Sequence, residues 1–184
     1  MTYRNRIAQH YADAWSQDYS VRRWLDGPVD QLPGDFCILE FARRTTRDMW
    51  TYATCCMSQP SDERRLELHL FSPRADETLV ELLTAIAHYH RTGESLWLGH
   101  SVNLGRPWLP HSSCDHGLIS LPYLDGPALE VLTLPGRGNA RFLWLIPVTK
   151  AEVQFKGSQG LEALEQAFER SRVNYLDPVR ESVV

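Results

Sequence analysis

The stretch that decides the fold begins with Trp50-Thr51-Tyr52-Ala53-Thr54-Cys55-Cys56-Met57 and runs to Tyr89. Its first segment is rich in β-branched and aromatic residues, which suit a half-buried strand. After a turn, Leu66-Glu67-Leu68-His69-Leu70 alternates strictly, with leucines on one face and polar residues on the other. The segment 76–89 then carries its apolar positions on one helical stripe. The sequence therefore predicts a hairpin with a helix across one face, and this stretch contains no active-site motif.

The totals describe an ordinary globular chain. With 184 residues, 43% of them hydrophobic and 23% charged, the chain fits one domain that needs no disulfide or metal cross-links for stability. We expect a single domain over 1–184, with an N-terminal helix and connection in 1–34 and the domain core in 35–183.

The charge balance restricts the partners. A net charge of -4 and a pI near 6.0 argue against nonspecific nucleic-acid binding, which needs a basic stripe, and favour a basic protein partner. No apolar run approaches the ~20 residues of a membrane span. The four cysteines form no CxxC pair and the chain opens without a signal-like segment, so we expect free thiols and a cytoplasmic location.

The C-terminal half supplies further elements. Leu96–Val102 and Leu129–Leu134 have strand character, and the run from Phe142 to Val148 is apolar on both faces, which is typical of a central strand covered by helices. Thr149 and Glu152 have the spacing of a capping box, and the helix that they begin is predicted to end at Gly157. The turn 136–139 precedes a strand and is therefore not a phosphate loop.

The longest irregular stretch, 103–117, is the first candidate functional surface. Within it Trp108, flanked by two prolines, is predicted to be a rigid exposed aromatic that anchors a partner, with His111 and Asp115 on the same patch. Asp62 and Glu63, at the hairpin tip, are predicted to meet a basic surface. The alternative for each of these residues is an ordinary loop role.

Hypotheses of a catalytic site find less support in the sequence. A zinc site could draw on His111, Cys114 and His116, but their spacing matches no established ligand framework. The same loop could offer a Cys–His nucleophile. Glu40 and Glu67 lie on strands and could share a face, although nothing else indicates a sugar cleft. We predict no metal, no cofactor and no catalytic residue.

Several segments together resemble the Suppressor of fused family. They lie in order over about 35–183 and are as follows: Trp50-Thr51-Tyr52-Ala53-Thr54, Leu66-Glu67-Leu68-His69-Leu70, Leu83-Thr84-Ala85-Ile86-Ala87-His88-Tyr89, 142–152, Gly160-Leu161-Glu162-Ala163-Leu164 and 176–182. The resemblance implies an α+β fold, a central mixed and largely antiparallel sheet with helices on both faces. It implies no known catalysis. Animal members bind a transcription-factor peptide between this domain and a second domain. The present chain is too short to include that second domain.

The resemblance also directs the functional hypothesis. Many short bacterial members look like immunity proteins, and an acidic chain suits a basic toxin because complementary charge speeds encounter. We therefore expect a non-catalytic protein-binding domain, an immunity protein or antitoxin that is a monomer or weak homodimer. The alternatives are a regulator that sequesters a transcription factor and, in a different class, a metal-dependent hydrolase that uses the loop 111–116.

Overall fold

The computed structural model describes residues 1–136 and 138–184, so Arg137 of the predicted turn 136–139 lies outside the described residues. The helices are α1 (Tyr3–Trp15), α2 (Thr78–Thr92), α3 (Pro127–Glu130), α4 (Lys150–Gln159) and α5 (Leu161–Ser171). The strands are β1 (Ser20–Arg22), β2 (Cys37–Phe41), β3 (Trp50–Cys55), β4 (Arg65–Ser72), β5 (Ser101–Asn103), β6 (His116–Ser120), β7 (Val131–Leu134) and β8 (Gly138–Val148).

All eight strands form one sheet in the order β1-β2-β3-β4-β8-β6-β5, with β7 also paired to β8. The β4–β8 pairing is parallel and the other pairings in the described residues are antiparallel. Strand β8 lies at the centre because its Trp144 pairs with β4 on one edge and with β6 on the other. The predicted fold, a mixed and largely antiparallel sheet in an α+β domain, is confirmed.

Each face of the sheet buries its own core. The leucines of β4 pack with α2 and with the segment 96–114 on one face. On the other face α1 covers the β2–β3 end of the sheet, where Tyr11 stacks against Trp15 and meets Phe142 edge-on. Helix α5 covers the β8–β6 end of the same face through Leu164 and Phe168. Helices on both faces explain why β8 is apolar from Phe142 to Val148.

The local predictions hold in part. The capping box of Thr149 and Glu152 is present, but α4 runs through Gly157 and ends at Gln159. The predicted strand Leu96–Val102 is wrong except at its end, because β5 begins at Ser101. The predicted strand Leu129–Leu134 is shortened, since its first two residues belong to α3.

Two face assignments are also settled. Glu40 pairs with Tyr52, which pairs with Leu70, so Glu40 lies on the leucine face of the sheet and Glu67 on the opposite face. The two carboxylates therefore do not share a face.

Candidate protein-binding site

The long loop does not present its tryptophan. Trp108 is only 3% exposed and packs in the α2-side core with Leu109 and Cys114, so the prediction of an exposed aromatic anchor is wrong. The loop folds back on itself through two backbone hydrogen bonds. The backbone N–H of Trp108 donates to the Cys114 carbonyl, and the backbone N–H of Leu104 donates to the Asp115 carbonyl. These backbone bonds accompany the burial of the Trp108 side chain. The flanking prolines alone do not indicate this inward direction.

The other two loop residues predicted to contact a partner, His111 and Asp115, remain at the surface. His111 is exposed and holds a positive φ of 68°, while the Asp115 carboxylate lies 2.6 Å from His116 Nδ1. Cys114 is buried, and burial raises the pKa of its thiol. In residues 1–136 and 138–184 no group of three His, Cys, Asp or Glu side chains is arranged to hold a metal ion.

The hairpin tip is a separate surface. Glu63 is exposed. The Asp62 carboxylate accepts a hydrogen bond from the backbone N–H of Gln59 and forms an ion pair with Arg91 near the C-terminal end of α2. The loop of His111 and Asp115 reaches the opposite end of α2, where its Arg106 binds the Thr78 carbonyl. A helix of 15 residues spans about 22 Å, so the structure does not join the two predicted patches.

A groove on the α5 side of the sheet has the features expected of a binding site. Its volume is about 480 Å³. Trp144, Ile146, Phe168 and Tyr175 form its apolar lining. Tyr123 and Leu124 stand at its edge with 57% and 56% of their surface exposed. Two adjacent large apolar side chains at the rim of an apolar recess are typical of a surface that another protein covers.

The exposed pair is carried by a short turn, 122–126. Within this turn the N–H groups of Asp125 and Gly126 both donate to the Pro122 carbonyl. The Tyr123 hydroxyl bonds Glu165 of α5 at 3.2 Å, which links the turn to the far wall of the groove.

Asp125 anchors this turn inside the protein. Its Oδ1 accepts from Trp15 Nε1 and from Arg47 Nη1, both at 2.8 Å, and its side chain is only 3% exposed. The Arg47 guanidinium lies over the rings of Trp15 and Phe71, at 4.8 and 5.0 Å from their centroids. The buried His69 imidazole is 3.5 Å from the other Asp125 oxygen. The turn is therefore held by groups from α1, β4 and the β2–β3 connection.

The electrostatics of this anchor keep Asp125 ionised. Burial acts to raise the pKa of Asp125, but His69 and Arg47 outweigh it and lower the pKa to about 2. Burial lowers the pKa of His69, so its imidazole is neutral near pH 7. The charge pair in this cluster is therefore Asp125 with Arg47.

Two further buried carboxylates serve structure. Glu67 accepts from the Thr54 hydroxyl, from both the N–H and the hydroxyl of Ser58, and from the Met57 N–H, which fixes the bend after β3. Burial raises the pKa of Glu67 to about 7 although these donors oppose the rise. Glu152 forms a bidentate pair with Arg180 at 2.7 and 2.8 Å, which holds the C-terminal segment against α4.

The groove was not among the surfaces predicted from the sequence. Its residues come from the end of β6, the turn 122–126, β8, α5 and Tyr175, and no local spacing joins these segments. The one available signal was the pair Tyr123-Leu124, since adjacent bulky apolar residues are unusual in a turn between proline and Asp-Gly.

Comparisons with known proteins give a consistent result. The family model of Suppressor of fused protein (SUFU) matches residues 35–181. A solved SUFU homologue from Neisseria gonorrhoeae FA 1090 is 30% identical, with a TM-score of 0.87 over 99% of this chain and 97% of that chain. No curated protein sequence matches this chain.

More distant solved structures share the fold. The match in a Sufu–Fu complex is 16% identical, with a TM-score of 0.67 over 98% of this chain and 92% of that chain. Drosophila Suppressor of Fused is 17% identical, with a TM-score of 0.64 over 96% of this chain, which spans 50% of the Drosophila chain.

Proposed function

Since the chain belongs to the Suppressor of fused family, as its resemblance implied, we propose that it is a non-catalytic protein-binding domain that neutralises a toxic protein. The observation that carries this proposal is the apolar groove flanked by exposed Tyr123 and Leu124. Its volume and apolar lining suit a segment of another protein. A relative in complex with another protein, the Sufu–Fu complex, gives support from the family.

The proposed partner is a basic toxin. The net charge of -4 favours a cationic partner, because complementary charge accelerates association and discriminates between partners. An immunity protein acts by occupying its toxin, so it needs a recognition surface and no reacting groups of its own. A cytoplasmic location is part of the same proposal, and no helix in the described residues has both the length and the apolarity of a bilayer span.

The test uses the gene adjacent to that of this chain. Its product is expressed in a bacterial host alone, with the native chain, or with a Leu124→Asp variant, and growth is measured. We expect the product to arrest growth alone, the native chain to restore it and Leu124→Asp to fail, because a charge in an apolar contact is costly to desolvate.

A matched control is Leu25→Asp. Leu25 is 77% exposed and does not line the groove, so this variant should restore growth like the native chain. Circular dichroism and thermal melting establish that both variants are folded. A neighbouring product that is harmless and binds DNA would contradict the toxin proposal and favour sequestration of a transcription factor.

The two surfaces predicted from sequence remain secondary proposals. Glu63 with Asp62 at the hairpin tip, and His111 with Asp115 in the long loop, could contact parts of a partner that extends beyond the groove. Glu63→Gln and His111→Ala in the growth assay test each surface separately.

A further inference from the structure

The geometry points to the occupant of the groove: an extended partner segment in which an arginine accompanies a bulky apolar residue. We propose this ligand class on the premise that the groove is the binding site of the proposed function. Three features of the groove carry the inference, namely carboxylates without an ion-pair partner, exposed apolar side chains at its edge and an aromatic lining.

The α5 wall of the groove carries three carboxylates. Glu162, Glu165 and Glu169 follow one another at intervals of three and four residues, so they lie on one stripe of the helix, and all three line the groove. Like charges at these intervals repel each other. The chain therefore places concentrated negative charge beside an apolar lining.

No cation of the described chain compensates this charge. Glu165 accepts from the hydroxyls of Ser120 and Tyr123, and Glu162 accepts from the amide of Gln166. None of the three carboxylates forms an ion pair with a side chain in residues 1–136 or 138–184. A cationic side chain of a partner would relieve the repulsion, whereas a phosphate or other anion would increase it.

An independent feature of the groove favours a peptide over an isolated cation. Its lining is mainly apolar, and Tyr123 and Leu124 stand exposed at its edge. Burying this apolar surface requires a partner that brings apolar side chains of its own.

The aromatic lining selects arginine over lysine. Tyr123 and Tyr175 both line the groove near the carboxylates, and a guanidinium stacks on such rings while its fork of donors reaches more than one oxygen. The apolar surfaces of Ile146 and Phe168 then accept the accompanying bulky side chain.

The experiment follows the Trp144 indole signal in ¹H–¹⁵N spectra of the full chain, assigned with Trp144→Phe. The probe is the capped peptide Gly-Ser-Arg-Leu-Arg-Ser-Gly, and its matched control has citrulline, which is uncharged and nearly isosteric, at both arginine positions. We expect the arginine peptide to shift the Trp144 signal and the citrulline peptide to bind about tenfold more weakly.

Variants locate the contact. Glu162→Gln with Glu169→Gln should weaken the arginine peptide by about fivefold, because each removes one carboxylate from its site. The control pair Asp35→Asn with Glu94→Gln removes the same charge from exposed positions outside the groove and should leave binding unchanged.

Several outcomes would overturn the inference. They are a stationary Trp144 signal at saturating peptide, equal affinity for the citrulline peptide, or self-association of the chain that Leu124→Asp abolishes, which would make a second copy the occupant. If Leu124→Asp still fails to restore growth while the peptides do not bind, the proposed function stands and the ligand class is wrong. If Leu124→Asp restores growth as well as the control Leu25→Asp does, the groove is not the functional surface.

Discussion

Replacing Asp125 should release the turn that carries Tyr123 and Leu124. Asp125→Ala leaves the Arg47 guanidinium and the Trp15 N–H without their shared acceptor. Removing one partner of a buried ion pair typically costs roughly 3–5 kcal/mol. Because Arg47 keeps 17% of its side-chain surface exposed and can gain water, we expect the lower end, about 3 kcal/mol.

The pH dependence gives a second magnitude for the same anchor. A carboxyl whose pKa falls from 3.8 to about 2 on folding contributes roughly 2 kcal/mol in its ionised form. Because the pKa of the folded state is the lower one, this contribution is present above about pH 4 and is lost as the pH falls towards 2. Asp125→Asn keeps the shape of the side chain and cannot titrate.

The assay is urea unfolding of the native chain, Asp125→Ala and Asp125→Asn between pH 2 and pH 7, followed by tryptophan fluorescence and circular dichroism. The difference in unfolding free energy between the native chain and Asp125→Asn should shrink by roughly 2 kcal/mol between pH 5 and pH 2. A control, Asp177→Asn, changes a carboxylate away from this cluster. A loss below about 1 kcal/mol for Asp125→Ala, or a difference from Asp125→Asn that does not vary with pH, would refute the role of the anchor.

Three further predictions concern stability, each measured by chemical denaturation. Arg180→Ala should cost roughly 3–5 kcal/mol because it leaves Glu152 buried and unpaired, and adding Glu152→Gln should recover part of the loss; additive losses would contradict this pairing. For Glu67, whose pKa is raised to about 7, the folded state holds the proton more tightly, so stability should fall by up to roughly 3 kcal/mol from pH 4.5 to 7, and Glu67→Gln should lack this slope. Trp108→Ala should cost roughly 3–5 kcal/mol as a core truncation, and a change below 1 kcal/mol would contradict its burial.

The parts of the fold that follow from local periodicity could be predicted. The alternation of Leu66, Leu68 and Leu70 identified a strand and its α2-facing side, and the doubly apolar run 142–148 identified the central strand. Both inferences depend only on neighbouring residues and on the two-residue period of a strand.

The binding surface could not be predicted in the same way, because it depends on which segments meet. The prolines beside Trp108 indicated a rigid loop, but the backbone bonds that turn this side chain inward join residues 104–108 to 114–115. Glu67 and His69 lie opposite the leucines, as predicted, yet both are fully buried because α1 and the turn at Asp125 cover that face. Only the three-dimensional structure shows which distant segments bury these side chains.

The parallel pairing of β4 with β8 has a consequence for biosynthesis. Strand β4 is complete at residue 72, but its neighbour in the finished sheet ends at residue 148, so about two fifths of the chain must still be synthesised before β8 is complete. If β4 pairs with β3 as soon as both are synthesised, its other edge, with apolar side chains on the leucine face, stays unpaired until β8 has been made. Such an edge can recruit a strand from a neighbouring molecule. The yield of soluble protein should therefore depend on how quickly the ribosome traverses the codons between these two strands and on the holdase chaperones present.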